Sequence, residues 1–367
     1  MTALYIHIPF CQRKCNYCDF VSYAGKEVTI DAYVAKLAAE IPNTEFSTIF
    51  FGGGTPTLLE PRHFEQILKN VAATFRSPSG HGGLKTAATL EITAEANPGT
   101  ANQKKLRELR QLGLNRLSIG VQSFNDQHLQ TLGRIHDAAT AKRFYADARS
   151  AGFDNINLDL IFALPGQTLA EWKADLQQAI ELNPEHLSVY NLQIEEGTPF
   201  WERYASSLPV TRYSLPTEDE ELAMYETAIE TLTANGYHHY EISNFARPGR
   251  VCLHNINYWR NGNYLGVGAG AHSHINGQRW SNPNCIEEYL QHSTRMPPND
   301  SRVATDQRET LFLGLRLLDG LEQDKFTGFE TEVSELMKEG LLEAAGNYYR
   351  LTRKGLYLGN QVFARFV

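Results

Sequence analysis

Through about residue 200 this chain alternates short β-branched runs with longer stretches whose apolar residues recur at three and four spacing. Strand candidates fall at 4–8, 48–51, 90–94, 116–120, 156–162 and 186–191. Between them, a set such as Phe64, Ile67, Leu68, Val71 and Phe75 marks one helical face. Thr168 with Glu171, and Thr217 with Glu220, have the spacing of a capping box, where each side chain satisfies an orphan amide of the first turn. Gly113, Gly152 and Gly236 sit where helices should stop, because glycine takes the left-handed cap at least cost. Such alternation calls for parallel strands with helical crossovers. Six units predict an α/β fold, a partial (β/α)6 barrel.

The texture changes near residue 296. Helical patterns at 308–318 and 332–339 precede a hairpin signal, 341–343 and 348–351 around Gly346 and Asn347. This predicts a smaller C-terminal α+β domain that resembles a winged helix. Asp319, Glu322, Asp324, Glu330, Glu332 and Glu335 leave it no basic face, so packing or partner docking is the expected role rather than DNA binding. The expected domains are 1–235, the partial barrel; 236–295, an extension of it; and 296–367. The stretch 77–83 reads as a flexible insertion and 296–301 as a linker.

A chain of 367 residues buries roughly 75% of its unfolded surface without disulfide help. Its net charge is −8 and its pI about 5.9. With no basic run to neutralise phosphates, a nucleic-acid partner is disfavoured. The longest apolar runs are about five residues, against the ~20 of a membrane span. A charged cysteine loop begins by residue 11, where no signal peptide fits. Five cysteines are an odd number and too few for a disulfide framework. A soluble cytoplasmic protein is expected.

Three of those cysteines, Cys11, Cys15 and Cys18, share one eight-residue loop after the first strand. Crowded thiolates need a cationic centre to hold them. Structural zinc usually takes four protein ligands, commonly as two separated pairs. No second CxxC occurs, and Cys252 and Cys285 stand alone. A four-iron, four-sulfide cluster on three cysteines instead leaves one iron open to a small molecule.

Unusual residues gather at the C-terminal ends of the other strands. Gly52, Gly53, Gly54, Thr55 and Pro56 follow the second; Glu95, Asn97 and Pro98 the third; Gln122 and Ser123 the fourth. The fifth carries Asp159, and the sixth ends near Gln193. In a parallel barrel these ends meet at one mouth, where ligands bind. Each taken singly has a plainer reading. The glycines either cradle a ligand or make a tight turn. Glu95 is either a surface carboxylate or an acceptor for ribose hydroxyls. Asp159, inside an apolar strand, needs a partner or a function. Arg134 is either that partner or a solvated helix end.

Assembled, these residues resemble the radical S-adenosylmethionine (SAM) superfamily. CxxxCxxC is its cluster motif, and an aromatic such as Tyr17 before the last cysteine is typical. The resemblance implies a [4Fe-4S] cluster whose open iron is chelated by SAM. An electron from the reduced cluster then cleaves the sulfonium to a deoxyadenosyl radical in a dry site. The segments 5–11, 52–57, 116–124, 132–136 and 159–168 sharpen the likeness to the branch of oxygen-independent coproporphyrinogen oxidases and HemW-type heme chaperones. Tyr5, Gly53 and Glu95 then match contacts to the cluster-bound SAM. Gly54, Thr55, Gln122, Arg134 and Asp159 match contacts to a second SAM in the oxidases.

Within that branch the oxidases continue the motif with a further cysteine, where this chain has Phe20. They also carry a long extension before the motif, where this chain has ten residues. His254, Asn255, Tyr258 and Trp259 fit the HNxxYW signature of the chaperones. An imidazole can ligate heme iron, and Tyr258 and Trp259 supply flat apolar surface for a porphyrin. Taken alone, His254 reads first as a hydrogen-bonded core histidine; the complete motif and the branch-level resemblance reverse that. The resemblance favours a heme chaperone over coproporphyrinogen oxidation or radical chemistry on another substrate. It implies heme, a respiratory apoprotein that accepts it, and an electron donor if SAM is cleaved. It leaves room for a homodimer and for transient membrane association.

Overall fold

A computed structural model describes residues 1–72, 90–205, 215–291, 302–303 and 306–367. The expected insertion at 77–83, the linker at 296–301 and Phe75 lie outside these residues. Six strands, β1 (Thr2–Ile8), β2 (Phe46–Gly53), β3 (Glu91–Ala96), β4 (Arg116–Gln122), β5 (Ile156–Phe162) and β6 (His186–Asn191), pair in parallel in sequence order. Helices α1 (Ile30–Glu40), α2 (Pro61–Ala72), α3 (Gln103–Gln111), α4 (Asp126–Thr131), α5 (Ala138–Ser150) and α6 (Leu169–Leu182) connect them. The sheet is open: α7 (Glu218–Ala234) leads to the antiparallel strands β7 (His238–Glu241) and β8 (Asn244–Ala246) beyond β6.

The sequence pattern did not reveal the other edge. After α8 (Leu253–Trp259), strand β9 (Tyr264–Val267) pairs in parallel with β1. Strands β10 (His272–Ile275), β11 (Gln278–Ser281) and β12 (Arg302–Val303) extend it antiparallel. The short helix α9 (Ile286–Gln291) follows β11 in the chain. Beyond it, α10 (Asp306–Gly314) and α11 (Glu330–Lys338) accompany a separate three-stranded antiparallel sheet of β13 (Leu321–Glu322), β14 (Leu342–Ala345) and β15 (Tyr348–Leu351). This is the small C-terminal domain. It joins the barrel edge through backbone bonds from Ile242 to Arg316 and from Leu318 to Tyr240.

The core lies between the sheet and its helices. Leu4, Ile6, Ile8, Phe51, Leu117, Ile119, Leu158 and Leu187 form one side of it; Val34, Phe64, Ile67, Leu106, Phe144 and Trp172 form the other. Each such side chain contributes about 1.5–3 kcal/mol when buried. Because strand residues alternate faces, the opposite face carries Tyr5, Thr48, Glu95, Ser118 and Asp159. Both predicted capping boxes are present, and Gly113, Gly152 and Gly236 have positive φ at the helix ends.

The end of β4 is held by a buried carboxylate. Asp175 of α6 accepts from Ser123 Oγ and from the Phe124 amide, both at 2.7 Å. Just before this turn Gln122 takes φ +68°, a left-handed conformation that a non-glycine residue adopts only under constraint. Asp175→Ala leaves the Phe124 amide and the Ser123 hydroxyl unpaired, which should cost about 1–3 kcal/mol. A lowered urea midpoint checks this; an unchanged midpoint contradicts it.

Candidate cluster and cofactor site

The cysteine loop is fixed from three directions. Asn16 donates from Nδ2 to the Thr131 carbonyl at 2.9 Å, and its amide donates to Leu132 O at 3.0 Å. The Cys11 amide bonds Tyr23 O, and the Phe200 amide bonds Asn16 O, each at 2.9 Å. His7, on β1, donates from Nε2 to Val21 O at 2.7 Å and accepts from the Tyr5 hydroxyl at 3.0 Å. The loop therefore leaves β1 and returns to it.

Gly53 has φ +105°, and a Cβ there would collide with the His7 ring. A Cβ on Gly54 would lie 2.7 Å from Phe10 O. Glycine is required at Gly54 by close approach of two backbones and at Gly53 by the His7 ring, the turn reading of the triple glycine. The same turn aims the Gly53 amide at Glu95 Oε2, 3.0 Å away. Ligand and turn roles are thus compatible.

A cavity of about 650 Å³ opens at the strand ends. Tyr5, Cys11, Cys15, Cys18, Gly53, Gly54, Glu95, Gln122, Arg134, Asp159 and His254 all line it. Thr55 does not: it is buried behind the loop, 3.5 Å from Cys11 Sγ, and accepts from Asn97 Nδ2 at 2.7 Å. Arg134 is not the partner of Asp159. Its Nη1 donates to Cys15 Sγ at 3.3 Å, and its Nη2 donates to Gly120 O at 2.7 Å and to Asn97. Asp159 instead accepts from Asn157 Nδ2 at 2.7 Å and Ser118 Oγ at 3.2 Å; burial pushes its carboxyl up, opposed by these hydrogen bonds and by the Arg116 charge.

Burial pushes the Cys11 and Cys18 thiols up. The described residues bring no three His, Cys, Asp or Glu side chains to the spacing of a single ion. Three thiols at a cavity wall, one with a guanidinium partner, suit a cationic cluster that spans them. Burial also raises Glu95, to about 8, with Asp159 adding and the Gly53 amide opposing. A carboxyl of that kind is poised to ionise when donors arrive.

His254 lies at the cavity floor, 1% exposed. Its Nδ1 meets the Thr48 hydroxyl at 2.8 Å and its Nε2 the Tyr258 hydroxyl at 2.9 Å. Its ring stacks on Phe50 with centroids 5.0 Å apart. Burial, then Arg116, lowers it to about 3, so the ring is neutral at physiological pH. Glu91 accepts from the Leu253 and His254 amides, both at 3.1 Å, and so caps α8. Cys252 is buried beside Glu91, its thiol pushed up to about 12 by burial. Glu91, Arg116 and Thr48 are functional neighbours that strand assignment alone missed. Reading every second residue of each strand would have exposed them.

An open α/β sheet with a three-cysteine loop over its strand ends defines a radical SAM protein. Residues 5–179 match the Radical SAM superfamily and residues 305–358 the HemN C-terminal domain. The chain is 36% identical to the heme chaperone HemW of Bacillus subtilis, over 100% of this chain and 99% of that one. It is 38% identical to the heme chaperone HemW of Escherichia coli, over 100% and 98%. The solved coproporphyrinogen III oxidase (HemN) of Escherichia coli superposes with TM-score 0.78 at 25% identity, covering 100% of this chain and 89% of that one. The chain belongs to the HemW family, which implies a [4Fe-4S] cluster and SAM as its cofactors.

Because the folded Glu95 holds its proton to about pH 8 while the unfolded one releases it near 4.5, stability falls as pH rises between those values. The slope is at most about 1.4 kcal/mol per pH unit, reduced by cavity water. Glu95→Gln removes it. The melting temperature of the metal-free variant, relative to wild type, should rise from pH 5 to pH 8; parallel profiles would contradict the assignment.

Proposed function

We propose that this protein is a cytoplasmic heme chaperone that carries a [4Fe-4S] cluster and SAM and passes heme to respiratory apoproteins. The observation that carries this reading is the end-to-end likeness to two heme chaperones. Phe20, where the oxidases continue with cysteine, supports it, as does the aromatic motif at the cavity floor. Cys11, Cys15 and Cys18 would hold the cluster, and Tyr5, Gly53 and Glu95 the SAM beside it. Gly54, Gln122, Arg134 and Asp159 line the remaining space, with Thr55 bracing Cys11 from behind. When bound, the reduced cluster supplies one-electron cleavage of the sulfonium bond. Glu95 offers an acceptor for ribose hydroxyls, while Arg134 sets the position and charge of the Cys15 sulfur. An electron donor is engaged only if SAM is cleaved.

His254 is the heme ligand suggested by the motif. Its ring reaches an iron only by giving up a hydroxyl partner, Tyr258 at Nε2 or Thr48 at Nδ1. In this reading residues 1–235 carry the cofactors, 236–295 the heme motif, and 296–367 serve packing or partner docking.

Anaerobic reconstitution with iron and sulfide should give broad visible absorbance that Cys15→Ala abolishes. Added heme should then bind saturably, and coproporphyrinogen III with SAM and a strong reductant should remain unconverted. A colourless protein, or a clear yield of protoporphyrinogen, would overturn the proposal.

A further inference from the structure

The two aromatic rings at the end of α8 are held by different domains. Tyr258 takes its hydroxyl partner, His254, from within the helix. Trp259 takes its partner from the C-terminal domain: Arg316, in the turn after α10, lies over the indole with its guanidinium carbon 4.3 Å from the ring centroid. Tryptophan gives a cation the strongest attraction of the three aromatic faces.

Arg316 is itself fixed at both ends. Its carbonyl accepts from the Ile242 amide at 3.2 Å, and the next residue, Leu317, bridges Glu241 at the end of β7. Its Nη2 lies 3.8 Å from Glu241 Oε2, on a carboxylate with no exposed surface. Oε1 of Glu241 is already engaged by the Ser243 amide at 3.1 Å and by the Asn244 side chain. Burial pushes the Glu241 carboxyl up, and the Arg316 charge leads the groups that oppose it. Carboxylate, guanidinium and indole therefore form one line from the sheet edge to the motif.

This joint is a costly way to pack two domains. Glu241 Oε2 and Arg316 Nε are buried without hydrogen-bond partners among the described residues, and an apolar side chain would close the seam without them. Leu311 and Leu315 of the same stretch already supply apolar burial. The domain also grips the exit of α8: Asn261, at φ +50°, donates to Thr310 Oγ1 of α10 at 3.2 Å and accepts from Arg279 Nη2 at 2.8 Å. Arg279 pairs with Glu309 of α10 at 2.9 Å. Trp259 lines an outer cleft together with Phe312 and Leu313 of α10.

We infer that Arg316 is a positioning residue for heme binding: it fixes the Trp259 indole, Glu241 fixes Arg316, and the C-terminal domain thereby sets the aromatic motif. A ring ordered before heme arrives adds no ordering cost to binding. This inference rests on the heme-chaperone reading and gives the C-terminal domain a part in it.

The test is an anaerobic hemin titration of cluster-reconstituted full-length protein, read at the Soret band. Arg316→Met, which keeps the stem and removes the charge, should weaken binding about fivefold, the scale of a partly desolvated cation over an indole. Arg316→Lys, which restores a cation, should recover most of it. In a Trp259→Leu background Arg316→Met should have no further effect, because its action passes through the indole. Arg353→Met, at an arginine of the same domain that stacks on Tyr357 instead, should bind as wild type. If Arg316→Met does not fold, Glu241→Gln carries the same test and should weaken binding only where Trp259 is present. Wild-type affinity in the folded variant, or an equal loss with and without Trp259, would overturn the inference and leave the chaperone reading standing. Wild-type protein with no saturable Soret band would overturn both.

Discussion

Every strand of the parallel sheet has to divide its side chains between a face packed by helices and a face turned to the cavity. The helix-packed face is saturated with Leu, Ile, Phe and Val, which leaves polar residues to the other. Polar groups removed from water must find partners inside. They do so in a relay: Asp159 bonds Asn157, Asn157 bonds His186, His186 meets the Tyr240 hydroxyl, and that oxygen accepts from the Cys252 amide. Glu91 then caps α8, which carries His254 and Tyr258. The strand-end cavity and the aromatic motif are thereby one hydrogen-bonded unit, although His254 lies 95 positions after Asp159 in sequence.

The cysteine loop depends on that unit from the opposite side. Arg134 gathers the Cys15 sulfur, the Asn97 side chain and the Gly120 carbonyl, uniting the loop with the ends of β3 and β4. His7 ties the loop's return to β1, and Gly53 and Gly54 let β2 pass closely enough to accept it. Preorganisation of this kind lets a multi-metal centre assemble on thiols that burial would otherwise keep protonated.

The six parallel strands, the capping boxes, the glycine stops and the C-terminal hairpin were legible because each rests on local periodicity or on one residue's conformational preference. The convergence at the mouth was legible from the same pattern, since parallel strands must bring their ends together. What local pattern could not convey was pairing across distance. Strand β9 beside β1, Arg116 rather than Arg134 near Asp159, and Thr48 under His254 are long-range choices made by packing.

A second cleft of about 660 Å³ shares a wall of Tyr5, Asp19, Phe20 and Tyr258 with the cofactor cavity, which under the proposed function leaves SAM and heme separate chambers. The most direct test is to load reconstituted protein with radiolabelled SAM and follow the retained label as hemin is added. The two-chamber account predicts that heme binds to saturation while the SAM content stays constant. Stoichiometric expulsion of SAM by heme would mean one shared cavity, and would contradict it.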